Sequence, residues 1–215
     1  MKYQQFIMIT GGVGVGKSTL IHGLKKSLPK KERIFIKECI DFKPNIGKKM
    51  LEETLKGKGS IYQFQLFIID CYREQLEKAK DMKYVIMERS PADSINIFAT
   101  ESYLQGKISE EEFNDLKIKT EELYQSYNIP KYHECIFTKI DSCKYSIDGV
   151  FQIVKQQTLQ CWKRSESALF LLFCSDPLMQ KENIEKRGRP EEKDYDINYM
   201  IRINNEYEKL FANFA

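Results

Sequence analysis

Apolar residues occur along the chain in short continuous runs, separated by stretches where they recur at helical spacing. That alternation predicts a mostly parallel sheet wrapped by helices. Phe6-Ile7-Met8-Ile9, Ile34-Phe35-Ile36, Lys83-Tyr84-Val85-Ile86-Met87 and Leu169 to Cys174 read as core strands. Leu20, Ile21, Leu24 and Leu28 space a helix that ends before Pro29, and residues 46–55 form another between the loops of Asp41 to Gly59. Ile61 to Lys80 reads as one helix. Its first half is apolar nearly all round (Tyr62, Phe64, Leu66, Phe67, Ile68, Ile69, Cys71 and Tyr72), which implies burial on most sides, including against a second copy in a homodimer. Asp93 to Gln105 reads as helical up to Gly106, and Ser109-Glu110-Glu111-Glu112 opens a further helix with a capping box. Glu134 to Ile140 reads as a strand. Asp148-Gly149, between β-prone flanks, predicts a hairpin over Tyr145 to Val154. A charged helix spans Gln180 to Lys186. Ile197, Met200, Ile201, Tyr207, Leu210, Phe211 and Phe214 space a final helix, read as packing without chemistry.

The length of 215 residues suits a single domain, 1–215, with a real core. A net charge of +3, from 34 basic and 31 acidic residues, is too mild to indicate a nucleic-acid partner. No apolar run approaches the length of a membrane span. Six cysteines without a C-x-x-C pair, alongside only two histidines, argue against a zinc site and for reduced thiols; the expected location is the cytoplasm.

One stretch carries specific chemistry. Gly11-Gly12-Val13-Gly14-Val15-Gly16-Lys17-Ser18-Thr19 fits G-x-x-x-x-G-K-[ST], a phosphate-binding loop, and lies between a predicted strand and a predicted helix as that motif requires. Glycines let backbone N–H groups turn inward on phosphate oxygens, and the helix start adds a positive dipole end. Lys17 would reach the β- and γ-phosphates of a triphosphate, and Ser18 would ligate Mg²⁺. Two further acids follow core strands, where the active crevice of an open α/β sheet lies. Glu38 is either a site residue or a surface glutamate. Glu88, beside Arg89, is either a metal partner or half of a structural ion pair. Gln65, within the apolar helix, either bonds inside the core or pairs with a nucleobase edge. Arg187-Gly188-Arg189-Pro190-Glu191-Glu192 is either a charged loop or a clamp on a transferring phosphoryl group.

Taken together, the phosphate loop, the strand ending in Glu38, Phe64-Gln65, Glu88-Arg89-Ser90 with Phe98 downstream, and the Arg187–Glu192 segment resemble the deoxynucleoside kinase family over residues 5–130 and 169–211. The resemblance implies a three-layer P-loop kinase fold with a lid over about 183–193 and a β-rich insertion over about 134–168. It implies ATP as phosphate donor, Mg²⁺, a deoxynucleoside acceptor and a homodimer, with neither nucleic acid nor membrane as partner. Glu38 would be the general base on the 5′-hydroxyl. Lys17 and Ser18 would handle the triphosphate and metal, with Glu88 assisting. Arg89 would lie by the transferring phosphate, Gln65 and Phe98 would bind the base, Arg187 and Arg189 would close on the donor, and Glu192 would hold the sugar 3′-hydroxyl. Relatives that prefer cytosine or purines read the base with an Arg–Asp pair; Tyr72 and Ser94 stand at those positions, which implies a thymidine-like pyrimidine preference. Arg73 and Asp93 sit one residue away, so a slip of one position would reverse that inference. Thr54-Leu55 stand where the family has a tyrosine, and Phe42 lies one position from its tryptophan. The chain reaches Phe214 without the family's final strand and adenine-holding loop, so the insertion either replaces that strand or makes another contact.

The residues themselves agree on the acceptor. A neutral hydroxyl gains from a carboxylate base, whereas an ionised monophosphate would rather meet arginines. Three rivals remain: a thymidylate-type monophosphate kinase, a P-loop switch protein with Asp41–Gly59 as its mobile segment, and a non-catalytic relative.

Overall fold

The computed structural model describes residues 4–212 and 214. β1 (Gln5–Gly11) runs parallel to both β3 (Tyr84–Glu88) and β5 (Ala168–Phe173). β2 (Arg33–Ile36) extends the sheet beyond β3, and β4 (Ile136–Asp141) extends it beyond β5, giving the order β2-β3-β1-β5-β4. All neighbours are parallel, so both faces must be covered, and the central strands are apolar on both sides.

Alternate side chains divide between two cores. Met8, Val85, Met87, Leu169 and Leu171 pack on one face beneath α4 (Ile61–Ala79), α7 (Glu110–Tyr127) and α10 (Ile197–Phe211). Ile7, Ile9, Ile86, Phe170 and Leu172 pack on the other beneath α1 (Lys17–Ser27) and α8 (Ile147–Arg164). This is the expected arrangement of a parallel sheet with helices on both faces. A third, smaller cluster joins α2 (Cys39–Phe42) and α3 (Pro44–Leu55) to α4 and the region of α9 (Pro177–Arg187) through Ile40, Leu51, Phe64 and Ile184.

The chain after β3 forms one run of helical backbone: α5 (Pro91–Asp93), a π segment (Ser94–Ala99) and α6 (Thr100–Leu104). Gly106, at φ +65, follows its end as expected. Ser109 caps α7 with the reciprocal Ser109–Glu112 bonds of the predicted box.

The predicted β-rich insertion is overturned in part. Residues 136–141 are a strand, but the hairpin over Tyr145 to Val154 does not form; α8 begins at Ile147. The Ser146 side chain accepts from the Gly149 N–H at 3.1 Å, so Asp148-Gly149 sits in the first turn of a helix rather than in a turn between strands. Val150, Val154, Thr158, Cys161 and Trp162 then bury one helical face. The same segment provides the sheet's edge strand, β4, ahead of β5 in sequence. No described helix is long and apolar enough to cross a membrane.

Candidate active site

Because the strands are parallel, the segments that follow β1, β2 and β3 emerge at one edge of the sheet. Ile9 stands beside Glu88, and Ile36 beside Met87, so Gly11, Glu38 and Arg89 leave the sheet side by side. The phosphate loop curls directly after β1. Gly16, at φ +94, turns the chain into α1, whose first residue is Lys17. A Cβ at Gly12 would lie 2.7 Å from Asn204 Oδ1 and 2.9 Å from Gln180 Nε2, so a side chain there would displace these two amides. Those two amides hold the loop from outside. Gln180 Nε2 donates to Val13 O at 2.8 Å, and Asn204 Nδ2 donates to Gln180 Oε1 at 2.7 Å.

Lys17 is buried, and its Nζ donates to Gly11 O at 3.1 Å and Gly12 O at 2.6 Å. Burial, reinforced by Arg89, pushes its pKa well below the usual lysine range. A bound polyphosphate would supply the counter-charge this ammonium lacks. Ser18 Oγ donates to Glu88 Oε1 at 2.8 Å, and burial raises the Glu88 carboxyl. Two hard oxygen donors meeting beside a phosphate cradle suit Mg²⁺, which takes few protein ligands and completes its shell with phosphate and water. Among the described residues no cluster of three or more His, Cys, Asp or Glu could hold a metal by itself.

Glu38 and Arg89 form an ion pair through Arg89 Nη1 and Glu38 Oε1, with both side chains largely buried. Arg89 has φ +61, a left-handed backbone uncommon for a residue with a side chain. That twist lets its N–H donate to Ile9 O at 2.9 Å while the guanidinium lies 4.9 Å from the Phe98 ring centre. The turn after it is fixed by Asp93, which is buried and accepts from Ser90 N at 2.6 Å, from Tyr207 OH at 2.9 Å and from Thr10 Oγ1.

Two cavities meet here. One is lined by Gly14, Gly16, Lys17, Ser18, Glu88 and Arg187 and carries Val13, Val15 and Thr19 as well. The other is lined by Gln65, Tyr72, Ser94 and Phe98, with Glu101 and Arg202. Glu38, Ile40, Arg89 and Tyr195 line both. The acid–base pair thus stands at the junction between a phosphate cradle and a mixed aromatic and polar pocket.

A model of the family described as deoxynucleoside kinase matches residues 7–149, more than half of the chain. The chain belongs to the deoxynucleoside kinase family. It is therefore a phosphotransferase whose acceptor is a deoxynucleoside hydroxyl and whose donor is a nucleotide. Among solved structures it is similar to deoxyadenosine kinase from M. mycoides with bound dATP, at a TM-score of 0.61 and 19% identity over 98% of this chain and 86% of that one. A second structure of that enzyme, with products dCMP and a flexible dCDP bound, gives a TM-score of 0.62 at 20% identity over 97% and 84%. At that identity the likeness speaks for the fold. None of the curated proteins matches significantly.

In this kinase the two arginines expected to close on the donor contact carboxylates. Arg187 Nη2 lies 2.5 Å from Glu192 Oε2; Arg189 Nη2 lies 3.1 Å from Asp41 Oδ1, and its Nη1 lies 3.5 Å from Glu192 Oε1. Arg187 and Glu192 line the phosphate-loop cavity, whereas Arg189 lines neither cavity. Glu192 therefore sits on the donor side in this arrangement, away from most of the pocket it was expected to serve. Gln65 is buried and its Oε1 has no partner among the described residues, so it is not a satisfied core amide. Arg73 is half-exposed and pairs with Asp70, and Asp93 is committed to the Ser90 turn, while Tyr72 and Ser94 line the pocket.

Sequence reasoning missed Tyr195, Glu101 and Arg202 in the pocket, and Gln180 and Asn204 behind the phosphate loop. The final helix, read as packing alone, presents Arg202 and Asn204 to the two sites. A sequence signal existed: both are polar positions inside a strongly amphipathic helix, and Asn204 falls one turn after Met200, on its buried side.

Proposed function

We propose that the enzyme transfers the γ-phosphoryl group of ATP, with Mg²⁺, to the 5′-hydroxyl of a 2′-deoxynucleoside, with Glu38 as general base. The observation that carries this reading is the position of the Glu38–Arg89 pair at the junction of the two cavities. A hydroxyl seated there meets a carboxylate able to take its proton and a guanidinium able to stabilise the charge of the transferring group. In the ligand-free pair Arg89 orients Glu38. The dATP, dCMP and dCDP bound to the M. mycoides enzyme support a 2′-deoxy acceptor.

Ser18 and Glu88 would hold Mg²⁺, which when bound would offset the charge on the donor phosphates. Lys17 and the N–H groups of the phosphate loop would hold the β- and γ-phosphates. Arg187 and Arg189, now on Glu192 and Asp41, would exchange these partners for donor phosphates as the lid closes. Phe98 and Gln65 would bind the base, and Tyr195 would separate sugar from phosphate. Tyr72 and Ser94 bring no charge to the base, which taken alone favours a thymidine-like pyrimidine.

Glu38→Gln keeps the shape of the side chain and removes the base. The expected result is turnover lower by about 10²-fold or more, with ATP affinity nearly unchanged. Turnover equal to that of the parent enzyme would remove Glu38 from this role.

A further inference from the structure

Two thiols meet behind the donor side of the site, and the phosphoryl transfer uses neither. β4 and β5 end side by side, with Asp141 beside Phe173. Cys143 follows β4 by two residues and Cys174 follows β5 by one, and their sulfurs lie 2.7 Å apart. Cys143 is half-buried, whereas Cys174 is only 2% exposed. The remaining cysteines are placed differently. Cys39, Cys71 and Cys161 are buried, and Cys135 donates to Lys131 O at 3.5 Å.

The segments that carry the pair also build the phosphate-loop cavity. Ser142, Tyr145 and Ile147 line it from the exit of β4, and Met179, Asn183 and Arg187 line it from α9. The start of α9 rests on Asp176. Its side chain accepts from Leu178 N at 2.9 Å, and its carbonyl accepts from Cys174 Sγ at 3.1 Å. Further along α9, Gln180 Nε2 donates to Val13 O and Asn183 Nδ2 donates to Gly14 O at 2.9 Å. Asp176 and α9 thus connect the Cys174 thiol to the phosphate loop.

We propose that Cys143 and Cys174 form a reversible disulfide when they meet a small-molecule disulfide, and that the oxidised enzyme binds ATP more weakly. The effect on ATP rests on the reading that the phosphate-loop cavity takes the donor; the thiol chemistry does not. Cys143 reacts first. Burial and the adjoining Cys143 thiol push the Cys174 thiol up to about 12, which disfavours it as the initial nucleophile. Cys143 gives up its proton and attacks one sulfur of the oxidant. The oxidant's S–S bond breaks, and the thiolate that leaves takes up a proton. Cys174 then loses its proton, bonds to the Cys143 sulfur and expels the second small thiolate, which is protonated in turn. Two electrons pass from the protein sulfurs to the oxidant. Sulfurs already in contact need to move by under about 1 Å to bond. The disulfide has no S–H, so Asp176 O loses the Cys174 donor. The start of α9 loses that support, and the phosphate loop is held by the same helix.

The test exposes the full chain to glutathione disulfide, maps the products by peptide mass spectrometry and titrates ATP without acceptor. The expected product is a Cys143–Cys174 disulfide that dithiothreitol reverses. ATP affinity should be lower by about threefold or more in the oxidised protein, the effect of losing one hydrogen bond. Cys174→Ser should stop at glutathione joined to Cys143, because the second thiol is missing. Cys143→Ser should leave Cys174 unmodified and keep its ATP affinity in the oxidant. Before oxidation both variants should bind ATP as the reduced parent does, since a serine hydroxyl can still donate to Asp176 O. If neither variant folds, the mapped disulfide and the ATP titration of the parent decide the matter. A disulfide between other cysteines, no disulfide at all, or unchanged ATP affinity in the fully oxidised parent would overturn the proposal while leaving the kinase reading intact. A reduced parent that binds no ATP would overturn the proposed function, and the effect on affinity with it.

Discussion

At the scale of single residues, the site is a set of charges whose environments are unfavourable without ligand. Lys17 is buried against two backbone carbonyls, and Glu88 is buried with Ser18 as its hydrogen-bond partner. Burial raises the Glu88 carboxyl, so the folded protein holds this proton more tightly than the unfolded chain does. Ligand-free stability therefore falls as pH rises from the ordinary glutamate range through the raised value. Glu88→Gln removes that penalty. The variant should melt about 2–4 °C above the parent near pH 8, the shift made by ~1 kcal/mol in a domain of this size, with the gap closing toward pH 5. Its Mg²⁺-dependent turnover should fall at the same time. A variant that melts lower at pH 8 would mean that Glu88 stabilises the ligand-free fold. The sequence motif identified Lys17, Ser18 and the neighbouring acids, because their chemistry is tied to fixed spacing. It could not show that Arg89 has a left-handed backbone, since that twist is imposed by the exit from β3.

At the scale of elements, the active edge depends on how β3 hands over to α5. Asp93 gathers donors from β1 (Thr10), from the turn itself (Ser90) and from α10 (Tyr207). Removing the acceptor strands several buried donors at once, each costing about 1–3 kcal/mol. Asp93→Ala should therefore destabilise by roughly 3 kcal/mol or more, read from urea unfolding. A loss under about 1 kcal/mol, the net value of a single ordinary hydrogen bond, would mean the network is redundant. Strands and amphipathic helices were legible because apolar runs and helical spacing follow directly from burial. The failure at Tyr145 to Val154 has a local cause. Asp148-Gly149 is a turn signal, but the Ser146 cap and the spacing of Val150, Val154, Thr158 and Cys161 outweigh it. Helical period over eighteen residues decided against a dipeptide.

At the scale of the whole molecule, the sheet order β2-β3-β1-β5-β4 puts the phosphate loop at the centre and the acceptor elements to one side. The edge strand beyond β5 is β4, from the segment that precedes β5 in sequence. Pairing order of this kind is invisible to periodicity, because a strand's pattern records burial and not its neighbour. The same holds for α10, whose packing face was legible and whose reach into both sites was not. Glu38, Arg89 and Tyr195 are more than fifty residues apart in sequence at their closest inter-segment spacing, and only the folded chain makes them one junction. The proposed role of this junction is to deliver phosphate to a nucleoside hydroxyl. It is tested by ADP release from ATP and Mg²⁺ with each deoxynucleoside or its 5′-monophosphate as acceptor. One or more deoxynucleosides should accelerate ADP release while the monophosphates do not; acceleration by the monophosphates alone would rule that role out.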